Sequence, residues 1–321
     1  MLLGQQFPAV LGATAPSLNL GHLRTHGWEA LLSWRDNIGK FNYHISATIT
    51  DNNNKLISYS ANNVIGAGYN AAVQGYPVGS YFGLQYAGRV QDQKTRDAYR
   101  LLAPGNNISM PLTTATLPGV RMGDNMFVDQ NKDGKLTTPA DLVYLGRDDP
   151  RYTYAANLGA EWKGFDFSAT FQGVGKRTIF REGNWRVPFG SIFQGQTDFW
   201  LGKTWTPNNT GAYYPVLSVG QNGTSYNNYN YQVSSWSVEN GAYIRLKNLV
   251  LGYTIPQQIM QKVKIQKLRI YFSGNDLWEV THIRDGWDPE ATRSVGRANN
   301  ESTFSRYPFY RYITFGVNVT F

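Results

Sequence analysis

Asp129-Gln130-Asn131-Lys132-Asp133-Gly134-Lys135 is the stretch whose residue types and spacing most directly suggest chemistry. Oxygen-bearing side chains at its first, third and fifth positions can converge on one cation. Gly134 supplies the sharp turn and Lys135 a backbone carbonyl, as in the first half of a calcium loop. A complete loop of that type closes with a bidentate Glu at its twelfth position, where Ala140 stands here. Asp141 follows one residue late, after Pro139, and closes the shell only if the loop bulges. The expected ligand set is Asp129, Asn131, Asp133, Lys135 and Asp141, holding a calcium ion that orders a long loop and takes no part in chemistry. A turn formed by Asn, Asp and Gly for local reasons accounts for the same residues without an ion, and both readings are open.

The other chemistry-bearing residues are sparse. There is no Cys and there are four His, so thiolate sites, thiol nucleophiles and disulfides are excluded. His22 and His26 have a metal spacing only if helical, and they sit in a Gly-flanked stretch without helical periodicity. Gly202-Lys203-Thr204 ends like a phosphate loop, but Thr197 stands where its first Gly should be. No nucleophile elbow, zincin helix or dinucleotide glycine pattern occurs, and the carboxylates are too scattered to form an acid–base pair. The chain is not expected to be an enzyme. Trp185, Trp200 and Trp205 lie with Trp236 in one Asn- and Tyr-rich segment, a composition suited to stacking against sugar rings or peptides. The competing reading, that these rings pack the segment's own core or mark a membrane interface, carries more weight.

What must position these residues is β structure. Charged residues make up 16% of the 321-residue chain, aromatics 14%, and mean hydropathy is −0.40, with no apolar run long enough for a membrane-spanning helix. The net charge of +8 is dispersed, without the basic blocks of a nucleic-acid binder, so no nucleic-acid partner is expected. Residues 1–15 end in Ala13-Thr14-Ala15 but lack the basic start of a secretory signal.

Alternation of period two dominates. Phe41, Tyr43, Ile45, Ala47 and Ile49 oppose Asn42, His44, Ser46, Thr48 and Thr50, and Phe165, Phe167, Ala169 and Phe171 oppose Asp166, Ser168, Thr170 and Gln172. Similar strands are expected over 28–35, 152–162, 267–276 and 311–321, with an eighth candidate at 81–89. In Tyr243–Thr254 the apolar phase shifts near Lys247-Asn248, as a bulge would cause. Several runs reach the ~9–11 residues of a tilted bilayer-crossing strand, against the ~5–6 typical of soluble sheets. Short links at 36–39 and 163–164 alternate with long segments at 51–151, 173–242 and 277–310, the pattern of short turns at one end of a barrel and surface loops at the other.

Trp236-Ser237-Val238-Glu239-Asn240-Gly241-Ala242-Tyr243-Ile244-Arg245-Leu246-Lys247-Asn248-Leu249-Val250-Leu251-Gly252-Tyr253 resembles the E-x-G-x-Y-x-R-L-K-N-x-x-L-G-Y segment of the SusC/RagA family of TonB-linked outer-membrane transporters. Leu268 to Leu277, Gly286-Trp287-Asp288-Pro289-Glu290 and the ending Thr314 to Phe321 resemble it also, as do Gly27-Trp28-Glu29 and Gly75 to Gly83. The resemblance is to the C-terminal portion of that family and implies an all-β fold, an antiparallel transmembrane β-barrel with long extracellular loops. The whole barrel would have about 22 strands, of which this chain supplies about eight; the plug and the TonB-contact segment lie outside the matched portion. It implies outer-membrane localisation in a Gram-negative, Bacteroidetes-type bacterium, a SusD-like surface lipoprotein as lid, contact with outer-membrane lipid, and energy from the TonB system. Uptake of an oligosaccharide or peptide is the implied activity, and Phe321 resembles the terminal aromatic by which barrels are recognised for insertion. Polar positions Asn42, His44, Asn157, Asp166, Gln172 and Asn318 would line the lumen. Two alternatives stand beside this: a self-contained small barrel acting as an adhesin or structural protein, and a secreted, calcium-stabilised carbohydrate-binding sandwich.

Overall fold

A computed structural model describes residues 2–4, 17–19, 21–59, 65–70, 72–99, 103–104, 120–180, 198–217, 229–285, 287–290 and 309–321. Its centre is one seven-stranded antiparallel sheet. The strands are β1 (Gly21–Ile38), β2 (Phe41–Tyr59), β3 (Arg151–Trp162), β4 (Phe165–Lys176), β5 (Tyr243–Thr254), β6 (Lys267–Thr281) and β7 (Tyr312–Thr320). Each pairs with its neighbours in chain order, so β1 and β7 are the two edges. The expected barrel-type strand sheet is present, with strands of 9 to 19 residues; among the described residues its edges do not pair with each other.

The tight connections follow from backbone chemistry. Trp162 pairs directly with Phe165, leaving Lys163 and Gly164 as a two-residue turn with both φ values positive, 48° and 90°. That is the primed turn whose twist suits a hairpin, and Gly at the second position takes it without steric cost. Between β1 and β2 the two-residue turn is Gly39-Lys40, with the positive φ (62°) at the first position, where Gly takes it without steric cost. The link from β5 to β6 carries a short helix, Gln257–Met260.

Register fixes which side chains share a face. Across β2–β6 one row reads Ile45, Leu158, Ala169, Leu249 and Gly274, the next Tyr43, Ala160, Phe167, Leu251 and Phe272, and the one at the turn end Phe41, Trp162, Phe165, Tyr253 and Ile270. The opposite face carries Ser46, Asn157, Thr170, Asn248 and Asn275 in one row. The bulge foreseen near Lys247-Asn248 is there: register shifts between Leu246 and Asn248 against β6, opposite a shift between Thr170 and Phe171 of β4. It keeps Ile244 and Leu246 on the same face as Leu249 and Leu251. The apolar face is open, with Ile45 42% and Leu251 47% exposed. On the edge strand β1, Ala30, Leu32 and Trp34 pair with Ile49, Ala47 and Ile45 of the apolar face, and Leu31, opposite Thr48, is an apolar residue on the polar face.

Two expectations need correction. The candidate strand 81–89 is broken at Gln85 and is not in the wall. Ser80–Leu84, buried throughout, pairs with Leu142–Arg147, while Tyr86–Arg89 pairs with Asn125–Phe127. Among the described residues the wall therefore has seven strands, and this segment packs a loop core instead. The expected loops 51–151, 173–242 and 277–310 also begin too early: β2 runs to Tyr59, β4 to Lys176 and β6 to Thr281. The strands outrun their apolar rows, and beyond those rows alternation no longer marks them.

The long connections fold at one end of the sheet into small cores of their own. Leu84, Val90, Val120, Phe127, Leu136 and Tyr229 form one, and Trp200, Tyr214, Tyr231 and Trp236 another. A buried polar set joins them: Asn230 donates its side-chain Nδ2 to Asp124 at 2.7 Å, and its Oδ1 accepts the Asn125 backbone amide at 2.8 Å.

Candidate functional site

The polar face of the sheet is laced by short-range pairs. Thr50 and Thr153 hydroxyls hydrogen-bond at 2.6 Å, Thr170 donates to Asn157 at 3.0 Å, and Asn248 donates to Asn275 at 2.9 Å. Arg269 forks onto Asp166 at 2.9 and 2.5 Å. Gly159 in β3 makes room for His44, since a Cβ there would sit 2.0 Å from the imidazole Cε1. Asn42, His44, Asn157, Asp166, Gln172 and Asn318, expected on one face, share it by register.

Toward the long-connection end, this face carries an ionic latch. Arg245 of β5 is 2% exposed and donates Nε to Glu279 Oε2 at 2.9 Å and Nη2 to Asp288 Oδ1 at 2.8 Å; its Nη1 lies 3.1 Å from Glu290. Lys247 pairs with Asp276 at 2.8 Å and Glu290 at 3.0 Å, and its Nζ stands 5.0 Å from the centre of the Phe309 ring. Asp288 also accepts the backbone amides of Glu290 and Phe309, at 2.8 and 3.0 Å. One Arg and one Lys thus tie the segment around residues 288–290 and the approach to β7 onto the wall. The two motifs quoted above, one containing Arg245 and Lys247 and the other Asp288 and Glu290, are halves of one contact. Sequence reasoning recognised both strings and missed their pairing, because nothing in 43 residues of separation signals it. The opposite charges were the only available clue.

The latch makes a pH prediction. Burial raises the Asp288 carboxyl, but Arg245 and the Glu290 and Phe309 amides more than offset this and hold it below its ordinary 3.8. A carboxyl depressed in the folded state stabilises above its unfolded pKa, and that contribution is lost as pH falls through the folded value. Limited proteolysis around residues 282–290 is expected to be unchanged from neutrality to about pH 5 and to accelerate only below the ordinary carboxylate range.

At the Asp129 turn, Asp129 accepts the Lys132 and Gly134 amides at 2.7 and 2.8 Å, and Gly134 has φ 80°. Asn131 and Asp133 hydrogen-bond to each other, and Asp133 accepts the Lys135 amide at 2.8 Å. Asp141, fully buried, folds back to accept the Gln130 amide at 2.8 Å and the Thr137 amide at 2.5 Å. The sharp turn expected from the sequence is present, but Asp141 serves backbone amides, and no cluster of three or more His, Cys, Asp or Glu suited to a metal forms among the described residues.

The expected role of Trp200 and Trp205 in substrate contact is corrected. They are 5% and 6% exposed. Trp200 meets Tyr214 edge-on at 4.5 Å, and Trp205 donates to Gln91 at 2.9 Å while covering Gly123, where a Cβ would lie 2.4 Å from the indole. Neither ring has an open face for a ligand. They hold the loop core together, the competing reading of the sequence. Trp185 lies outside the described residues.

Long antiparallel strands with one open apolar face, one polar face and aromatics at the turn end are the wall of a transmembrane β-barrel. No protein-family model matches the chain. Over its full length it is 26% identical to TonB-dependent receptor P3 of Formosa agariphila across 340 residues, and 26% identical to TonB-dependent receptor P26 of the same bacterium across 339, spanning 31% of each. Its fold matches part of the solved RagAB peptide transporter with a TM-score of 0.69 and 22% identity, covering 100% of this chain and 32% of that one. The RagAB peptide importer in its open-open state gives 0.68 and 21%, covering 100% and 31%. The chain spans about a third of the length of the curated relatives it matches. It is distantly homologous, throughout, to TonB-dependent receptors, a non-enzymatic class of Gram-negative outer-membrane protein, and its place is that membrane.

Proposed function

We propose that the chain is barrel wall in a TonB-energised importer, working with a SusD-like surface lipoprotein and admitting oligosaccharides or peptides. The observation that carries this is the two-faced sheet: polar rows suited to a water-filled lumen back onto apolar rows suited to lipid, over the full span of similarity to TonB-dependent receptors. The likeness to the RagAB peptide transporter supports a lidded assembly and favours peptides over glycans. A strain lacking the gene, grown on defined oligopeptides or oligosaccharides as sole source, tests it. Loss of growth on one class with growth on monomers intact supports import; unimpaired growth on both, with no lipoprotein co-purifying from membranes, rejects it.

Calcium at the Asp129 turn is a separate proposal, supported by the Asp129, Asn131 and Asp133 oxygens on one sharp turn. With an ion bound, EDTA increases protease cleavage near Asp129. An unchanged digestion pattern, with Asp133→Ala equally silent, rejects it.

A further inference from the structure

Where the wall gives way to the long connections, separate segments enclose a recess of about 210 Å³. Arg147, Arg151, Lys176 and Arg177 all line it, together with Asn53 and Tyr144. Arg147, at the end of the strand Leu142–Arg147, is 6% exposed. Its Nη2 donates to the Asn52 carbonyl at 2.9 Å, while its Nη1 is buried without a hydrogen-bond acceptor. Arg177, just past β4, spends Nε on the Asp148 carbonyl at 2.9 Å and Nη1 on the Pro289 carbonyl at 3.3 Å. Burial pushes its guanidinium below the ordinary value, against the opposing pull of Asp148. Lys176 stands exposed at the tip of β4.

The acids nearby do not close the account. Asp51 is engaged by both Arg151 nitrogens, Asp148 lies beside Arg177, and Asp149 is the one carboxylate lining the recess. With Arg151 matched by Asp51, three cations, Arg147, Lys176 and Arg177, line the recess with Asp149 as its lining acid, and Arg147 Nη1 is buried without an acceptor. Desolvating a guanidinium is costly unless its five donors find acceptors. A ligand that brings several oxygens and negative charge supplies what is missing, and guanidinium forks match that geometry.

We propose that this recess binds a phosphate-type oxyanion, free or carried on a lipid head group, between Arg147, Lys176 and Arg177. The two sources share one chemistry, an oxyanion with several acceptor oxygens. The proposal stands apart from the import reading, since it requires neither a lid nor a transported substrate.

The test uses the protein extracted from outer membranes in detergent. Inorganic phosphate is titrated against it calorimetrically at constant ionic strength, with chloride as the control. A second arm adds mixed micelles of a glucosamine lipid with and without its phosphate. Saturable binding of inorganic phosphate is expected to weaken roughly tenfold in Lys176→Gln, which removes one charge-assisted contact at an exposed position. Arg147→Gln is expected to abolish it, and circular dichroism checks that this variant keeps its sheet. Binding of the phosphorylated lipid that competes with inorganic phosphate supports the site and assigns it to the membrane; phosphate binding with the lipid inert supports it and assigns a soluble anion. Failure of both probes, or affinities unchanged in Lys176→Gln, overturns the proposal.

Discussion

Arg245→Ala is expected to release the segment around residues 288–290 from the wall and to destabilise the loop end of the barrel by about 3–5 kcal/mol, the cost of removing one partner from a buried ion pair. The magnitude follows from arithmetic of charge. Among the described residues, Asp276, Glu279, Asp288 and Glu290 pair with Arg245 and Lys247, so the variant leaves these four carboxylates to one ammonium in a largely water-excluded place. Arg245→Lys keeps the charge but loses the fork that reaches Glu279 and Asp288 together, so it should recover only part of the loss. The measurement is the temperature at which the barrel loses heat-modifiable migration, read alongside protease cleavage around residues 282–290. A wild-type profile in Arg245→Ala would show that the latch is dispensable.

The second large effect concerns the faces. Ile45 and Ser46 are neighbours in β2, one in the apolar row with Leu158 and the other in the polar row with Asn157. Arginine on a lipid-facing barrel position near mid-depth costs about 2–4 kcal/mol, whereas a lumen position tolerates it. Ile45→Arg is therefore expected to impair insertion or lower the melting temperature sharply, and Ser46→Arg to leave assembled barrel near wild-type abundance. The amount of folded protein in outer-membrane fractions reads both. Equal tolerance of the two variants would remove the distinction between the faces.

Much of the wall was legible because membrane strands obey a strict rule. Side chains alternate, water and lipid select opposite chemistries, and the phase change at Lys247-Asn248 announced a bulge that the register places between Leu246 and Asn248. The rule also explains where reading stopped. Once β2 passes Asp51, its residues Asn52, Asn53, Asn54 and Lys55 are polar on both sides, so the strand's last turns carried no alternating signal. Tyr81 to Arg89 alternated enough to suggest a wall strand, yet Ser80–Leu84 is buried on both sides in a loop core. Trp200 and Trp205 illustrate a different limit: composition showed that their segment was aromatic, and only packing shows that Trp200 is buried against Tyr214 and Trp205 against Gln91 and Gly123. The Arg245 latch was invisible for the same reason, its partners being brought together by the turn of the sheet.

The absence of Cys from the chain allows the face assignment to be measured directly. Single replacements Ser46→Cys, Asn157→Cys and Thr170→Cys, with Ala47→Cys, Leu158→Cys and Leu249→Cys as their opposites, are treated in intact outer membranes with a water-soluble maleimide. The wall described above predicts that the first three label, that the second three do not, and that detergent solubilisation followed by unfolding exposes all six. Labelling of both sets to the same extent in membranes, or the reverse pattern, would contradict a lipid-backed, water-lined barrel wall.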